Sequence, residues 1–301
     1  MKFDPDELKK LYIPPAASHK GQNGKLMIIG GSNLFHAASL WSLQIASRIV
    51  DMVFYSSVLE NNQIVHELKK EFRNGIVVPR NDIENYIEEA DAILIGPGMV
   101  RTELGIRDEG LGTSLEEINK LKEEGVQSYW LTKYLLEKYP QKKWVIDAGA
   151  LQMMEPEWLK QLNGNVVITP HPVEFERIAA KITNQELHNE LKEKSLEEKV
   201  QLFAREFQCI ILLKSQTDIL CSPTHCLHVP GGNAGMTKGG TGDVLAGLVA
   251  ALACTNDLFL AATAGSYINK KAGEVLFEKV GYYFNASDLA DEIPSMLKKL
   301  I

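Results

Sequence analysis

The sequence predicts an α/β fold in three layers, with a mostly parallel central sheet flanked by helices. Three observations carry this. Short apolar runs alternate with longer helix-period segments, the runs are apolar at successive positions rather than every second one, and most end in small, polar or charged residues. Continuous apolar runs suit strands covered on both faces. Strand–helix–strand order implies parallel neighbours joined by right-handed crossovers.

The elements follow in order. Residues 25–29, 52–55, 92–95, 144–146, 166–168 and 210–213 read as strands. Residues 37–49, 61–72, 127–138, 172–181 and 196–207 read as the helices between them. Segment 218–229 reads as a hairpin, with strands 219–221 and 226–229 around Ser222-Pro223-Thr224. The C-terminal part is nearly all helical, at 242–254, 258–279 and 286–299. The polar stretch 99–125 reads as a surface insertion with a short helix near 115–124; its Gly-Leu-Gly-Thr at 110–113 is also compatible with a lid. No linker, low-complexity run or repeat divides the chain, so a single domain over 1–301 is expected.

Composition narrows the function classes. The 301 residues carry a formal charge of −7 with a pI near 5.6, and no basic stripe is present. Nucleic acid is therefore not an expected partner. Residues 1–10 are charged and lack the apolar centre of a signal peptide, and no run is long enough to span a bilayer. A soluble cytoplasmic protein is the expectation. The four cysteines, Cys209, Cys221, Cys226 and Cys254, are too few to indicate a disulfide framework. Cys221, His225, Cys226 and His228 lie close together, but their spacing does not match a zinc site. Small apolar strand positions are expected for these cysteines.

The strand-end turns point to a site. They are Gly30-Gly31-Ser32, Gly96-Pro97-Gly98, Asp147-Ala148-Gly149-Ala150, Thr169-Pro170-His171-Pro172-Val173-Glu174 and Lys214-Ser215. In open α/β sheets ligands bind beyond the carboxyl ends of the strands. The densest feature is Gly231–Leu245, a glycine-rich loop running into an apolar helix. Gly239, Gly240 and Gly242 allow a tight turn and close approach of a ligand. The helix start offers N–H groups and a dipole suited to an anion. Asp243, in the first turn, is electrostatically awkward beside an anion. It makes sense as a base that deprotonates a substrate hydroxyl attacking a phosphoryl group; a plain helix cap is the alternative.

These motifs, in this order, resemble the NAD(P)H-hydrate dehydratases of the ribokinase-like superfamily. The resemblance rests on Gly30-Gly-Ser, Gly96-Pro-Gly, Asp147-Ala-Gly-Ala, Thr169-Pro-His-Pro-x-Glu-Phe175 and Gly232-Asn-x-Gly-Met-x-x-Gly-Gly-x-Gly-Asp243, and runs from about His19 to Ala272. It implies the stand-alone form without a fused epimerase. The implied reaction is dehydration of the (S)-hydrates of NADH and NADPH, driven by ADP or ATP with Mg²⁺, ADP being favoured. Phosphorylation would turn the ring hydroxyl into a leaving group that the ring nitrogen then expels.

The resemblance also implies roles. Asp243 is the base, and the N–H groups of Gly240–Gly242 are the anion hole. Ala38, Gly98, His171 and Asp243 meet the hydrated dinucleotide. Lys214, Ser215, Gln216, Thr217, Asp218, Asn233, Gly239, Gly240, Thr241 and Gly242 line the nucleotide site. Glu174 reaches the metal through water, and Asp147 is either a supporting site residue or a plain turn residue. A homo-oligomer, a tetramer by resemblance, is implied as well.

Four departures bear on this. Ala37-Ala38 and Val50-Asp51-Met52 replace glycine-containing family turns, on the side expected to meet substrate. Ser215 follows Lys214 where glycine is usual. Lys238 stands in the anion loop, where it either adds charge near the phosphates or, as preferred, points to solvent. Two other readings compete: a small-molecule kinase of the same superfamily acting on a vitamin-precursor alcohol, and a non-catalytic nucleotide-binding homologue.

Overall fold

The computed structural model describes residues 1–102 and 114–301; the 110–113 stretch lies outside the described residues. The strands are β1 (Lys25–Ile29), β2 (Met52–Ser56), β3 (Ile76–Val77), β4 (Ala92–Ile95), β5 (Lys143–Ile146), β6 (Val166–Ile168), β7 (Ile210–Leu213), β8 (Thr217–Cys221) and β9 (Cys226–Pro230). They form one sheet in the order β3-β2-β1-β4-β5-β6-β7-β8-β9. Strands β1 to β7 pair in parallel, and β7–β8–β9 is antiparallel.

The helices are α1 (Ala37–Ala46), α2 (Leu59–Leu68), α3 (Ile83–Glu89), α4 (Leu115–Asn119), α5 (Glu124–Lys138), α6 (Ala148–Met153), α7 (Pro172–Ala179), α8 (Gln185–Lys192), α9 (Leu196–Phe207), α10 (Thr241–Ala253), α11 (Leu258–Val280) and α12 (Ala286–Leu300). The alternation of strand side chains sorts the interior into two cores. Leu26, Ile28 and Tyr55 face one, with α1, α10, α11 and α12. Met27, Ile29 and Phe54 face the other, with α3, α5, α7 and α9. The sheet is thus covered on both sides, which is why its strands read as unbroken apolar runs.

The sequence-derived strands all form, while β3 was not anticipated because only two residues of it pair. Helices α3, α6 and α8 were also missed; they are six to eight residues long, too short to display a clear period. The segment expected as one helix near 115–124 divides, because the Glu123 side chain caps the start of α5 through the Val126 N–H.

Two expectations are corrected. Cys221 and Cys226 are joined as a disulfide, while Cys209 and Cys254 stay free and buried. The two cysteines stand directly opposite in the β8–β9 register, so a short turn brings the sulfurs together; composition carries no trace of that pairing. Asp51 lies at the start of β2, the edge opposite the strand ends where ligands bind. Its carboxylate accepts from the Gly21 N–H at 2.8 Å and from Asn23, so it fixes a remote turn instead of meeting substrate.

Helices α1 and α10 pack at close range over β1, β4 and β5, and Gly247 is what allows it. A Cβ there would stand 2.6 Å from the Ser42 Cα. Gly247→Ala is expected to destabilise the fold by about 1–3 kcal/mol through overpacking. Gly239→Ala, whose added Cβ meets nothing within 4 Å, serves as the control and should shift stability by under about 0.5 kcal/mol. Denaturant midpoints of the two variants measure the difference.

Candidate functional site

The turns leaving β5, β6 and β7 gather with the glycine loop and α11 around a cleft of about 750 Å³. At its centre is α10. Gly240 caps this helix at φ +95°, and a Cβ there would fall 2.3 Å from the Trp41 ring of α1. Only glycine fits both the angle and the approach. The loop is braced from within: Thr241 Oγ1 donates to the carbonyls of Met236 (2.6 Å) and Lys238 (2.8 Å), and Ser42 Oγ donates to the Asp243 carbonyl (2.8 Å). The Thr241 N–H turns to the Lys238 carbonyl and the Asp243 N–H to its own carboxylate, leaving the Gly242 N–H to face the cleft.

A charge cluster faces that helix end. Lys214 Nζ lies 2.8 Å from Asp147 Oδ1 and 3.9 Å from Glu174 Oε2. A Cβ on Gly242 would sit 3.6 Å from the same ammonium, so the cation stands at the mouth of the anion nest. Burial alone would lower the Lys214 pKa, but Asp147, Glu174 and then Asp243 outweigh it and hold it above its ordinary value. Burial raises Asp243 to about 7, helped by the charges of Asp147 and Glu174 and opposed by Lys214. A carboxyl that titrates near neutrality in a cleft is suited to taking a proton.

Asp147 lines the cleft at this cluster. It accepts from Thr169 Oγ1 at 2.8 Å as well as from Lys214. The next residue, Ala148, takes φ +45° and lines the cleft. A Cβ on Gly96 would come 1.8 Å from the Asp147 carbonyl, so the neighbouring strand end pins this strained turn.

His171 and Glu174 form a capping box at the start of α7. Glu174 Oε2 accepts from the His171 N–H at 2.9 Å, and His171 Nδ1 accepts from the Glu174 N–H at 3.3 Å. That bond places the imidazole proton on Nε2, on a half-exposed ring that lines the cleft. Glu174 Oε1 accepts from Gln152 at 2.9 Å. Both Glu174 oxygens are thus occupied, and no cluster of three His, Cys, Asp or Glu suited to a metal occurs among the described residues.

The nucleotide-site expectations divide. Lys214, Ser215, Gln216, Asp218, Asn233, Gly239, Gly240, Thr241 and Gly242 line the cleft, and Thr217 does not. Thr217 opens β8, where it pairs opposite Pro230 and is exposed. Asp218 is buried and turned inward, accepting from the Ser215 N–H (2.8 Å), Ser266 Oγ (2.7 Å) and Lys270 Nζ (3.1 Å). Burial raises its pKa against those partners. Asn233 is spent on the loop itself, accepting from the Gly235 N–H and donating to the Gly273 carbonyl. Both shape the site from behind. Lys238 neither reaches the phosphate nest nor points freely to solvent; its ammonium is held by the Tyr282 and Phe284 carbonyls.

Ala38 and Gly98 do not line this cleft. They meet one another beside it: a Cβ on Gly98 (φ +73°) would lie 3.1 Å from Ala38 Cβ and 3.2 Å from Gly31 Cα. They form a low saddle over the ends of β1 and β4, where the strand order reverses direction. Two residues escaped the sequence reading. Lys270 of α11 donates to the carbonyls of Ser215, Gln216 and Gly231, tying two loop segments together. Its neighbour Asn269 lines the cleft with a buried, unpartnered Oδ1. Both lie inside the helix read from the sequence over 258–279, where no site motif was singled out.

A family profile described as NAD(P)H-hydrate dehydratase matches residues 26–295. An ADP-dependent (S)-NAD(P)H-hydrate dehydratase of Nitrosopumilus maritimus is 34% identical over 295 residues, covering 97% of this chain and 95% of its own. A bifunctional NAD(P)H-hydrate repair enzyme of Methanocaldococcus jannaschii is 33% identical over 297 residues, and the chain spans 52% of its length. The chain thus matches about half of such bifunctional relatives and nearly all of the single-activity one. In fold it is ribokinase-like. It superposes on an ADP/ATP-dependent NAD(P)H-hydrate dehydratase of Bacillus subtilis, co-crystallised with ATP and Mg²⁺, with a TM-score of 0.76 at 23% identity, covering 100% of this chain and 98% of that one. By profile and by relatives, the chain belongs to the NAD(P)H-hydrate dehydratase family.

Proposed function

We propose that the chain dehydrates the (S)-hydrates of NADH and NADPH, using ADP as the favoured phosphoryl donor. The observation that carries this is the Asp243 carboxyl, raised to about 7 and set beside the Lys214 ammonium at the start of α10. The donor's terminal phosphoryl rests on the helix start, and Lys214 balances its charge. Asp243 takes the proton of the ring hydroxyl as that oxygen bonds to phosphorus and AMP departs. The carbon–oxygen bond then breaks, the ring nitrogen lone pair expels phosphate, and loss of a proton from the adjacent ring carbon restores the reduced nicotinamide. His171 contacts the substrate through Nε2–H. Mg²⁺ would supply neutralising charge to the donor phosphates; Asp147 and Glu174 would hold it through water, since one is committed to Lys214 and the other to its own cap. Cytoplasmic location and assembly into a tetramer belong to the same proposal.

The second reading, a kinase for a small alcohol, uses the same nest and base. Incubation with hydrated NADH and ADP or ATP separates them: growth of the reduced-nicotinamide absorbance supports the dehydratase, and a stable phosphorylated product without NADH supports the kinase.

Four outcomes follow from the charge cluster. Asp243→Asn should lower kcat by about 10²–10⁴ while nucleotide affinity, read by calorimetry, is retained; full turnover in that variant would remove Asp243 from the mechanism. Since the base must be ionised, kcat/KM should rise with pH through about 7 and level off above it. Lys214→Met removes the cation that favours the charged form, so this rise should move to higher pH. Asp147→Asn removes a like charge and should move it to lower pH. Both shifts are read from pH–rate profiles.

A further inference from the structure

A second cavity of about 750 Å³ opens on the same edge of the sheet, beyond the ends of β1, β2 and β3. Nothing in the reaction chemistry described above uses it. Its walls mix apolar groups with polar ones, among them Asn33, Ser57, Arg80, Asn119, Lys122 and Glu124. Arg80 is its oddest member. The guanidinium donates to Gln127 Oε1 at 3.0 Å through Nη1, but Nε and Nη2 are out of solvent contact and have no partner. Asn119 Oδ1 is likewise buried without a partner. A desolvated guanidinium with two unmet donors is costly unless an anion completes it. Burial pulls its pKa down to about 10, against the charges of Tyr55 and Glu124.

The floor beneath is stiff. Asn61 donates to Tyr55 OH (2.9 Å) and Ser57 Oγ (3.0 Å), and Asn62 accepts from the Ser57 N–H (2.9 Å). The route between the two openings is the saddle at Gly31, Ala38 and Gly98, which keeps side chains low. The reacting centre stands over β5, at Asp147, and the second cavity over β2 and β3. In the strand order these are three to four neighbours apart, about 14–19 Å at the usual spacing. That span matches an extended dinucleotide and exceeds a nicotinamide mononucleotide.

We infer that this cavity is the subsite for the distal nucleotide half of the hydrated dinucleotide, with Arg80 and Lys122 receiving its phosphate. Glu60 and Glu124 also line the cavity, and the Glu124 charge acts on Arg80. The inference rests on the dehydratase reading. It also weighs against the small-alcohol kinase, which would leave the cavity idle.

Two measurements test it. In the first, adenosine 2′,5′-bisphosphate, the distal half of NADPH, is titrated by calorimetry into the full chain with the main cleft saturated by a non-hydrolysable ATP analogue and Mg²⁺. Binding to the unaltered chain is expected, weakened about tenfold or more by Arg80→Gln and less by Lys122→Gln. Absence of binding, or binding that neither substitution changes, overturns the proposal. In the second, both variants should raise KM for hydrated NADPH with kcat and the KM for ADP nearly unchanged, and leave hydrated nicotinamide mononucleotide unaffected. An equal rise for the full and truncated substrates would mean distortion and would overturn it. Lys122 is exposed, so its variant carries the test if Arg80→Gln does not fold. Failure of the dehydratase reading would show separately, as no turnover of hydrated NADPH by the unaltered chain, and the calorimetry would then decide the cavity alone.

Discussion

The ion pair between Lys214 and Asp147 is the constraint on which the site depends. One partly buried ammonium serves three carboxyl groups, from the end of β5 and from the first turns of α7 and α10. Asp147 and Lys214 come from strands separated by one neighbour, so the pair holds only while β5, β6 and β7 keep their register. Its charge balance sets the proton affinity of Asp243. Without the ammonium, three acids would share a poorly solvated space; without Asp147, the ammonium would hold Asp243 too firmly ionised to act as a base near neutrality.

The glycine loop depends on that arrangement and on close helix packing. Gly240 lets Trp41 lie against the loop, and Gly247 lets α1 and α10 touch through their backbones. Ser42 then bonds the Asp243 carbonyl directly. The residues that place Asp243 thus come from the first helix as much as from the loop. Lys270 gathers the carbonyls of 215, 216 and 231, so one cation holds two loops of the cleft. Rigid walls of this kind suit phosphoryl transfer, in which positioning and electrostatics supply most of the rate.

The two openings along one sheet edge give the fold a direction. The strand order reverses between β1 and β4, and the turns there carry glycine because neither side chain nor bulk can be accommodated: a Cβ on Gly30 would meet the Pro97 carbonyl at 2.4 Å. The saddle is a consequence of topology before it is a feature of binding. A long substrate can lie across it, with one end over the charge cluster and the other among the polar groups near Arg80.

By itself the sequence determined the layers, the parallel strands and the long helices, because burial on both faces writes unbroken apolar runs and amphipathic periods into local composition. It also determined the glycine loop, Asp243, Lys214 and the His171–Glu174 turn, since each is a contiguous motif whose residue types carry their own chemistry. Only the tertiary structure decided what depends on distance between segments. It joined Cys221 to Cys226, sent Asp51 to the far edge, turned Asp218 and Asn233 inward, tied Lys238 to a helix end, and brought Lys270 and Arg80 to cavities. Nothing in the residues adjacent to these side chains names their partners. Those partners arrive from elsewhere in the chain, and only the packed sheet and helices bring them within reach.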